Sequence, residues 1–211
     1  GLAFLEEQVG KGGDDLAAIQ VILQARIRSG KPDEARTYLD GELAKRPDDP
    51  GLRLLSAGLH ALMGEVSQAE ALFRDLIAED PTAELPARLL YGLLRSDGRA
   101  EEAAAVLDAA LAAQPAAATL RWIQAGELEK AGDIDGAIAV YEAMYAVDSG
   151  NVIIANNLAS MITTHRDDPE SLARATAIAR RLKGSDVPAF QDTYGWIAHR
   201  NGNHDEALTY L

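Results

Sequence analysis

The chain has 211 residues, no cysteine, and 20 Lys and Arg against 33 Asp and Glu, for a net charge of −13. That balance excludes a nucleic-acid binder, which needs clustered cations along the phosphates, and the missing cysteines exclude disulfides, thiolate metal sites and a catalytic thiol. Hydrophobic residues make up 47 % and aromatic ones only 5 %, so the core is built of Ala, Leu, Ile and Val, as close-packed helices prefer. No apolar run approaches the roughly 18 to 20 residues that would cross a bilayer, and this segment is not expected to insert into a membrane.

In chain order, residues 1–15 read as the second helix of a truncated repeat, closed by Gly10-Lys11-Gly12-Gly13. A 34-residue period follows. Gly30, Gly64, Gly98 and Gly132 are each succeeded five residues later by an alanine (Ala35, Ala69, Ala103, Ala137) and nine residues later by a large side chain (Leu39, Phe73, Leu107, Tyr141). Pro47, Pro81 and Pro115 close three of the units and Ser149 stands in the fourth. Four units in register define a repeat architecture, with bounds 16–49, 50–83, 84–117 and 118–151. Within 50–83 the expected helices are 52–63 and 67–78. A glycine between them adopts positive φ without a Cβ penalty, and a proline after them stops the second helix. Alanine marks the closest approach of the two helices, and the bulky residue one turn later fills the seam to the neighbouring hairpin.

The unit 152–187 keeps the first-helix pattern but replaces the glycine by His165-Arg166-Asp167-Asp168-Pro169, which is expected to form a longer turn that delays Ala175 at small entropic cost. A truncated unit, 188–211, carries Gly202 and Ala207 in register. Both ends cut a hairpin in half, so the chain is expected to be a piece of a longer array. In three units Gly58, Gly92 and Gly126 precede the turn glycine by six residues, whereas Gly195 precedes Gly202 by seven; shortened or rephased first helices are expected there.

These residues resemble the tetratricopeptide repeat family: 34-residue hairpins, a glycine at the first turn, alanine early in the second helix, a large apolar residue one turn later and a closing proline. The resemblance implies an all-α, right-handed superhelical solenoid of antiparallel helix-turn-helix repeats, here a single array over 1–211, with first helices lining a concave groove. It also implies a scaffold that binds a protein or peptide and is not an enzyme. The Lys/Asn/Lys/Arg clamp of the co-chaperone members is not reproduced, since Gln20, Gln24, Leu54 or Leu55, and Arg88 or Leu89 occupy the comparable places. The NNLA run at 156–159 and Asp192-Thr193-Tyr194-Gly195-Trp196 resemble bacterial arrays of the exopolysaccharide and surface-protein export type, except that Ser160 stands where those often carry Trp. That resemblance implies a bacterial cytoplasmic or periplasmic and envelope location.

Catalytic and cofactor chemistry find no support in the motifs. The glycines at 10–13 lack the order of a phosphate loop and are followed by Asp14-Asp15. His60, His165, His199 and His204 form no metal-ligand spacing, and the acidic pairs fall in turns, where they cap helices. No catalytic, cofactor or metal residue is therefore assigned.

First-helix windows hold eight bases and five acids, net +3, which leaves −16 for all other residues. Arg53, Arg88 and Arg121 recur near the starts of successive first helices, and Arg28, Arg95, Lys130 and Arg200 near their ends. Two readings stand side by side. Either the bases border a groove that receives an acidic segment, since guanidinium binds carboxylate bidentately, or each base sits at a helix end or snorkels over an apolar neighbour. Gln24, Asn156 and Asn157 are amides able to bond an extended backbone, and Trp122 is the aromatic best placed as an anchor. The groove set is thus Gln24, Arg28, Arg53, Arg88, Arg95, Arg121, Trp122, Asn156 and Asn157. A regulatory or substrate-presenting arm of a larger enzyme or export system, and a self-associating spacer, are the alternatives.

Overall fold

The computed structural model describes Val9 and residues 15–211; the second helix expected within 1–15 lies outside the described residues apart from these. Among the described residues there are twelve α-helices and no strand: α1 Asp15–Arg28, α2 Pro32–Lys45, α3 Pro50–Leu62, α4 Val66–Glu79, α5 Glu84–Ser96, α6 Ala100–Ala113, α7 Ala118–Ala131, α8 Ile134–Val147, α9 Val152–His165, α10 Pro169–Ala179, α11 Pro188–Arg200 and α12 His204–Tyr210. A single 3₁₀ turn, Arg180–Leu182, extends α10. The chain divides into two compact units, one ending at Pro115 and one beginning at Ala116, so that α1 to α6 build the first and α7 to α12 the second.

Each hairpin starts and stops where the local chemistry directs. Gly30, Gly64, Gly98, Gly132 and Gly202 all sit at φ between +73° and +79°, the left-handed conformation that closes a first helix. Asp49, Asp133, Asn151 and Asp168 cap the following helices by accepting from backbone N–H groups, and Pro32, Pro50, Pro169 and Pro188 occupy first turns, where a missing N–H costs nothing. The fifth hairpin departs from expectation. Its turn spans only Arg166 to Asp168, the three residues that most of the other turns have. Arg166 is extended at φ −127°, ψ 136° and Asp168 caps Ser171. The delay of Ala175 is taken up inside α10, where it stands seventh instead of fourth as in the other second helices.

The alanines are fully withdrawn from solvent: Ala35, Ala69, Ala103, Ala137 and Ala175 are 0 % exposed. In the first unit Leu39 closes a cluster with Ile19 and Leu52, and Phe73 one with Leu90, Leu94 and Ala103. In the second unit Tyr141, Met144, Leu158, Ile178 and Leu182 share one core. Arginine–carboxylate pairs join successive hairpins through their turns and second helices: Arg36 to Glu65 and Arg99 to Glu70 at 2.5 Å in the first unit, and Arg166 to Asp135 and Arg174 to Glu142 in the second. Arg99 and Arg74 hold the Glu70 carboxyl down at about 2.

The first helices are not shortened where glycine comes early; α3 and α5 have 13 residues and α7 has 14. In the second and fourth repeats the residue seven before the turn glycine is in close contact, Ala57 and Ala125 at 0 % exposure, whereas the third has the half-buried Tyr91 there; at Gly195 an added Cβ would lie 2.8 Å from Leu211 and 3.0 Å from Tyr210. At Gly58, Gly92 and Gly126 a Cβ would meet nothing within 4 Å.

Ala69→Leu is therefore expected to destabilise the chain by roughly 1–3 kcal/mol through overpacking, while Ala71→Leu on the exposed side of α4 stays within about 0.5 kcal/mol; urea unfolding separates the two. The same measurement applied to Gly58→Ala is expected to show a gain of roughly 0.4–1 kcal/mol, because the helical backbone there needs no glycine.

Candidate partner-binding face

The first helix of each hairpin keeps one side out of the core, and the residues on it differ in what holds them. In the first unit Gln24, Arg28 and Arg88 are exposed on α1 and α5, as is Arg95. Arg53 is committed to its own hairpin: its Nη1 donates to both oxygens of Glu79 at 2.7 and 2.6 Å, which raises the guanidinium pKa further. Arg26, counted among the first-helix bases, lies 4.8 Å over the Tyr38 ring and donates to the Glu34 carbonyl. In the second unit Arg121 donates to Gln124 at 3.1 Å, and Arg200 clamps the fifth turn by donating to the carbonyls of Thr163 and Arg166 and to Asp167. Exposed position and engagement with the fold are thus separate properties of the first-helix bases, and Arg53 and Arg200 are the clearest cases of engagement.

Asn156 and Asn157 are brought together with two residues that the repeat pattern did not single out as functional. A cleft of about 270 Å³ opens in the second unit between α7 and α9, lined by Glu129, Tyr141, Asn156, Asn157, Ser160 and Thr164, with Met161 and His165 completing it. Two hydrogen bonds run along its floor. Asn156 Nδ2 donates to Asn157 Oδ1 at 3.2 Å, and the Tyr141 hydroxyl donates to Glu129 Oε1 at 2.8 Å, since a carboxylate only accepts. Asn156 Oδ1 is withdrawn from solvent and without a hydrogen-bond partner. Such an unsatisfied acceptor costs about 1–3 kcal/mol.

Trp122, from α7, packs edge-on against Tyr141 with ring centroids 5.4 Å apart, half-buried beside the same network. Tyr141 itself is 4 % exposed. Its slot holds Leu39, Phe73 and Leu107 elsewhere, and the extra hydroxyl was the sequence signal for the site, since a buried phenol needs a partner. A larger cleft of about 490 Å³ in the first unit lies between second helices α4 and α6; Ile77, Leu90 and Val106 wall it, and an Arg74–Glu102 pair at 3.8 Å bounds it. Among the described residues no group of three or more His, Asp or Glu is placed to hold a metal ion, and no helix is long and apolar enough to cross a membrane.

Burial, followed by the Glu129 carboxylate, pushes the Tyr141 hydroxyl from 10.0 up to about 12. A phenol raised in the folded state contributes stability that is complete below about pH 10 and is lost as the pH climbs toward about 12. Ultraviolet titration of the native chain is expected to show Tyr141 ionising at about 12, with Tyr194 also raised by burial and the Glu206 carboxylate, and Tyr141→Phe to remove the step at about 12.

Two tetratricopeptide repeat models match the chain, over residues 3–90 and 93–152. A tetratricopeptide repeat protein from Parabacteroides merdae is similar at a TM-score of 0.55 and 16 % identity, over 99 % of this chain and 82 % of that one. PilF of Pseudomonas aeruginosa is similar at 0.64 and 16 %, over 92 % and 88 %. YrrB, described as a tetratricopeptide repeat protein with an unusual peptide-binding site, is similar at 0.59 and 14 %, over 82 % and 88 %. No curated protein sequence matches the chain significantly. With glycine turns, buried alanines and paired helices in the same register as the matched repeats, the chain belongs to the tetratricopeptide repeat family, whose repeats point to a protein–protein interaction scaffold.

Proposed function

We propose that the chain is a non-catalytic scaffold that holds a segment of a partner protein against its first helices. In the second unit the contact residues are Asn156, Asn157 and Trp122. In the first they are Gln24, Arg28, Arg88 and Arg95, whose guanidiniums suit carboxylates of the same partner. Arg53 and Arg121, held by Glu79 and Gln124, stand at the edge of these faces.

One observation carries the reading. The cleft between α7 and α9 is lined by Asn156, whose Oδ1 is withdrawn from solvent and has no partner in the protein, and whose amide can turn toward the cleft about its soft terminal torsion. Buried polar groups are almost always paired, and a donor from a bound chain relieves the cost. The glycines of α3 and α5 add to it, because Gly58 and Gly92 leave open space where a Cβ would stand, and backbone that lacks side chains admits another backbone closely. The peptide site attributed to YrrB supports the same use of the fold.

The test is affinity capture with the complete chain as bait, followed by titration of the captured protein. Asn156→Ala combined with Asn157→Ala is expected to weaken binding about tenfold, equivalent to ~1.4 kcal/mol, while Arg74→Ala on the second-helix side leaves it unchanged. Unaltered affinity in the double variant, with an unaltered unfolding midpoint, would remove Asn156 and Asn157 from the binding face.

A further inference from the structure

We propose that His199 and His204 form a binding site for one divalent transition-metal ion of the kind that favours imidazole, Cu²⁺ before Ni²⁺ and Zn²⁺. The site goes beyond the partner-binding face and uses none of the residues assigned to it.

No ligand spacing within one helix connects these two histidines, because a turn lies between them. His199 belongs to the last turn of α11 and His204 opens α12, and Gly202 at φ +79° folds the chain back between the two helices. The turn brings the imidazole rings to a centroid separation of 5.1 Å with their planes inclined by 51°. Metal–nitrogen bonds of about 2.0–2.1 Å place each ring centroid roughly 3.2 Å from the ion, so two imidazoles at an angle of about 90° to 109° have centroids about 4.5–5.2 Å apart. The observed separation falls inside that interval. The nitrogen that faces the gap is set by the terminal torsion of each ring, which is broad and soft, and either ring nitrogen of a neutral imidazole serves as a ligand.

The surroundings favour an ion at this place. Trp196 stacks on the His199 ring, with centroids 5.4 Å apart and planes inclined by 27°, which restricts one of the two rings before an ion arrives. Both histidines are exposed, so the ion reaches them without opening the fold. The adjoining cation, Arg200, is held at the fifth turn by Thr163, Arg166 and Asp167, and Lys183 is paired with Glu206. Asp205 follows His204 in the first turn of α12 and contributes a negative charge.

Two imidazoles are fewer protein ligands than a closed structural zinc site has, and among the described residues no third His, Asp or Glu joins them. Water completes the coordination, which makes this an exchangeable site with open positions. With neutral nitrogen ligands and no thiolate, affinity follows the divalent series that peaks at copper. Mg²⁺ and Ca²⁺ prefer oxygen ligands and do not compete.

The probes are CuCl₂, NiCl₂, ZnCl₂ and MgCl₂, titrated by calorimetry into the complete chain, produced without a histidine tag and stripped of metal with a chelator. Cu²⁺ is expected to bind one to one and to quench indole fluorescence, a quenching absent from Trp196→Phe, which retains Trp122. Ni²⁺ and Zn²⁺ are expected to bind more weakly and Mg²⁺ to give no heat. His199→Ala and His204→Ala are each expected to weaken Cu²⁺ binding about tenfold or more, because the second imidazole binds intramolecularly, whereas His60→Ala combined with His165→Ala leaves it unchanged. Where an alanine variant unfolds earlier than the parent without metal, the glutamine variant at that position is read in its place by the same criteria.

Full affinity retained without either His199 or His204, an equal loss in the His60 and His165 double variant, or no saturable Cu²⁺ binding overturns the site. Mg²⁺ binding as tightly as Cu²⁺ overturns its imidazole character.

Discussion

Each hairpin depends on how closely its two helices can approach, and that distance is set by a side chain no larger than a methyl group. Ala35, Ala69, Ala103, Ala137 and Ala175 are wholly buried and Ala207 nearly so, so the second helix lies against the first with its small face inward. Close-packed interiors tolerate no extra methylenes at such a point. The constraint binds one side of the first helix and leaves the opposite side with no packing duty. In the ninth place of successive repeats stand Gln24, Gly58, Gly92, Gly126, Ser160 and Trp196, residues with nothing in common except exposure or partial exposure. Fixed alanines on one side and unconstrained variety on the other are what a repeat scaffold needs to carry specificity without altering its core.

The local grammar of the hairpins was legible because backbone conformation dictates it. The expected helices 52–63 and 67–78 appear as Pro50–Leu62 and Val66–Glu79, and the turn glycines all take positive φ. The fifth hairpin was misread for a definite reason. A periodicity count registers that Ala175 comes late but not where the extra residues are placed, and a turn can be closed by an aspartate cap and proline as compactly as by glycine. Asp168 and Pro169 do so, so the slack passed into α10. Likewise the early glycines were misread as a shift of register. Glycine in a helix costs about 1 kcal/mol against alanine, and Gly58, Gly92 and Gly126 carry that cost without a packing contact to justify it.

Charge was less legible than shape. The helix on which an arginine sits follows from the period; the carboxylate it reaches depends on four torsions and on a neighbour far away in sequence. Arg53 finds Glu79, 26 residues on, and Arg200 reaches back across the fifth turn to carbonyls of α9 and its exit. Sorting bases by helix therefore counted as groove charge several groups that close the fold. Surface pairs of this kind contribute little stability one at a time, but their geometry decides which guanidiniums remain exposed to a partner.

Tyr141 links the core to the first-helix side. It fills the seam as Leu39, Phe73 and Leu107 do in the other hairpins, yet its hydroxyl donates to Glu129 of α7. The polar first-helix residues of the second unit are consequently tied to core packing. A phenylalanine at this place would keep the volume and leave Glu129 without that bond, and a change at Glu129 would leave a buried hydroxyl seeking an acceptor. The first unit has Phe73 in the equivalent place and no such tie, so its first-helix residues can change without disturbing the seam. The polar floor between α7 and α9 is in this sense anchored to the fold through the Tyr141 hydroxyl.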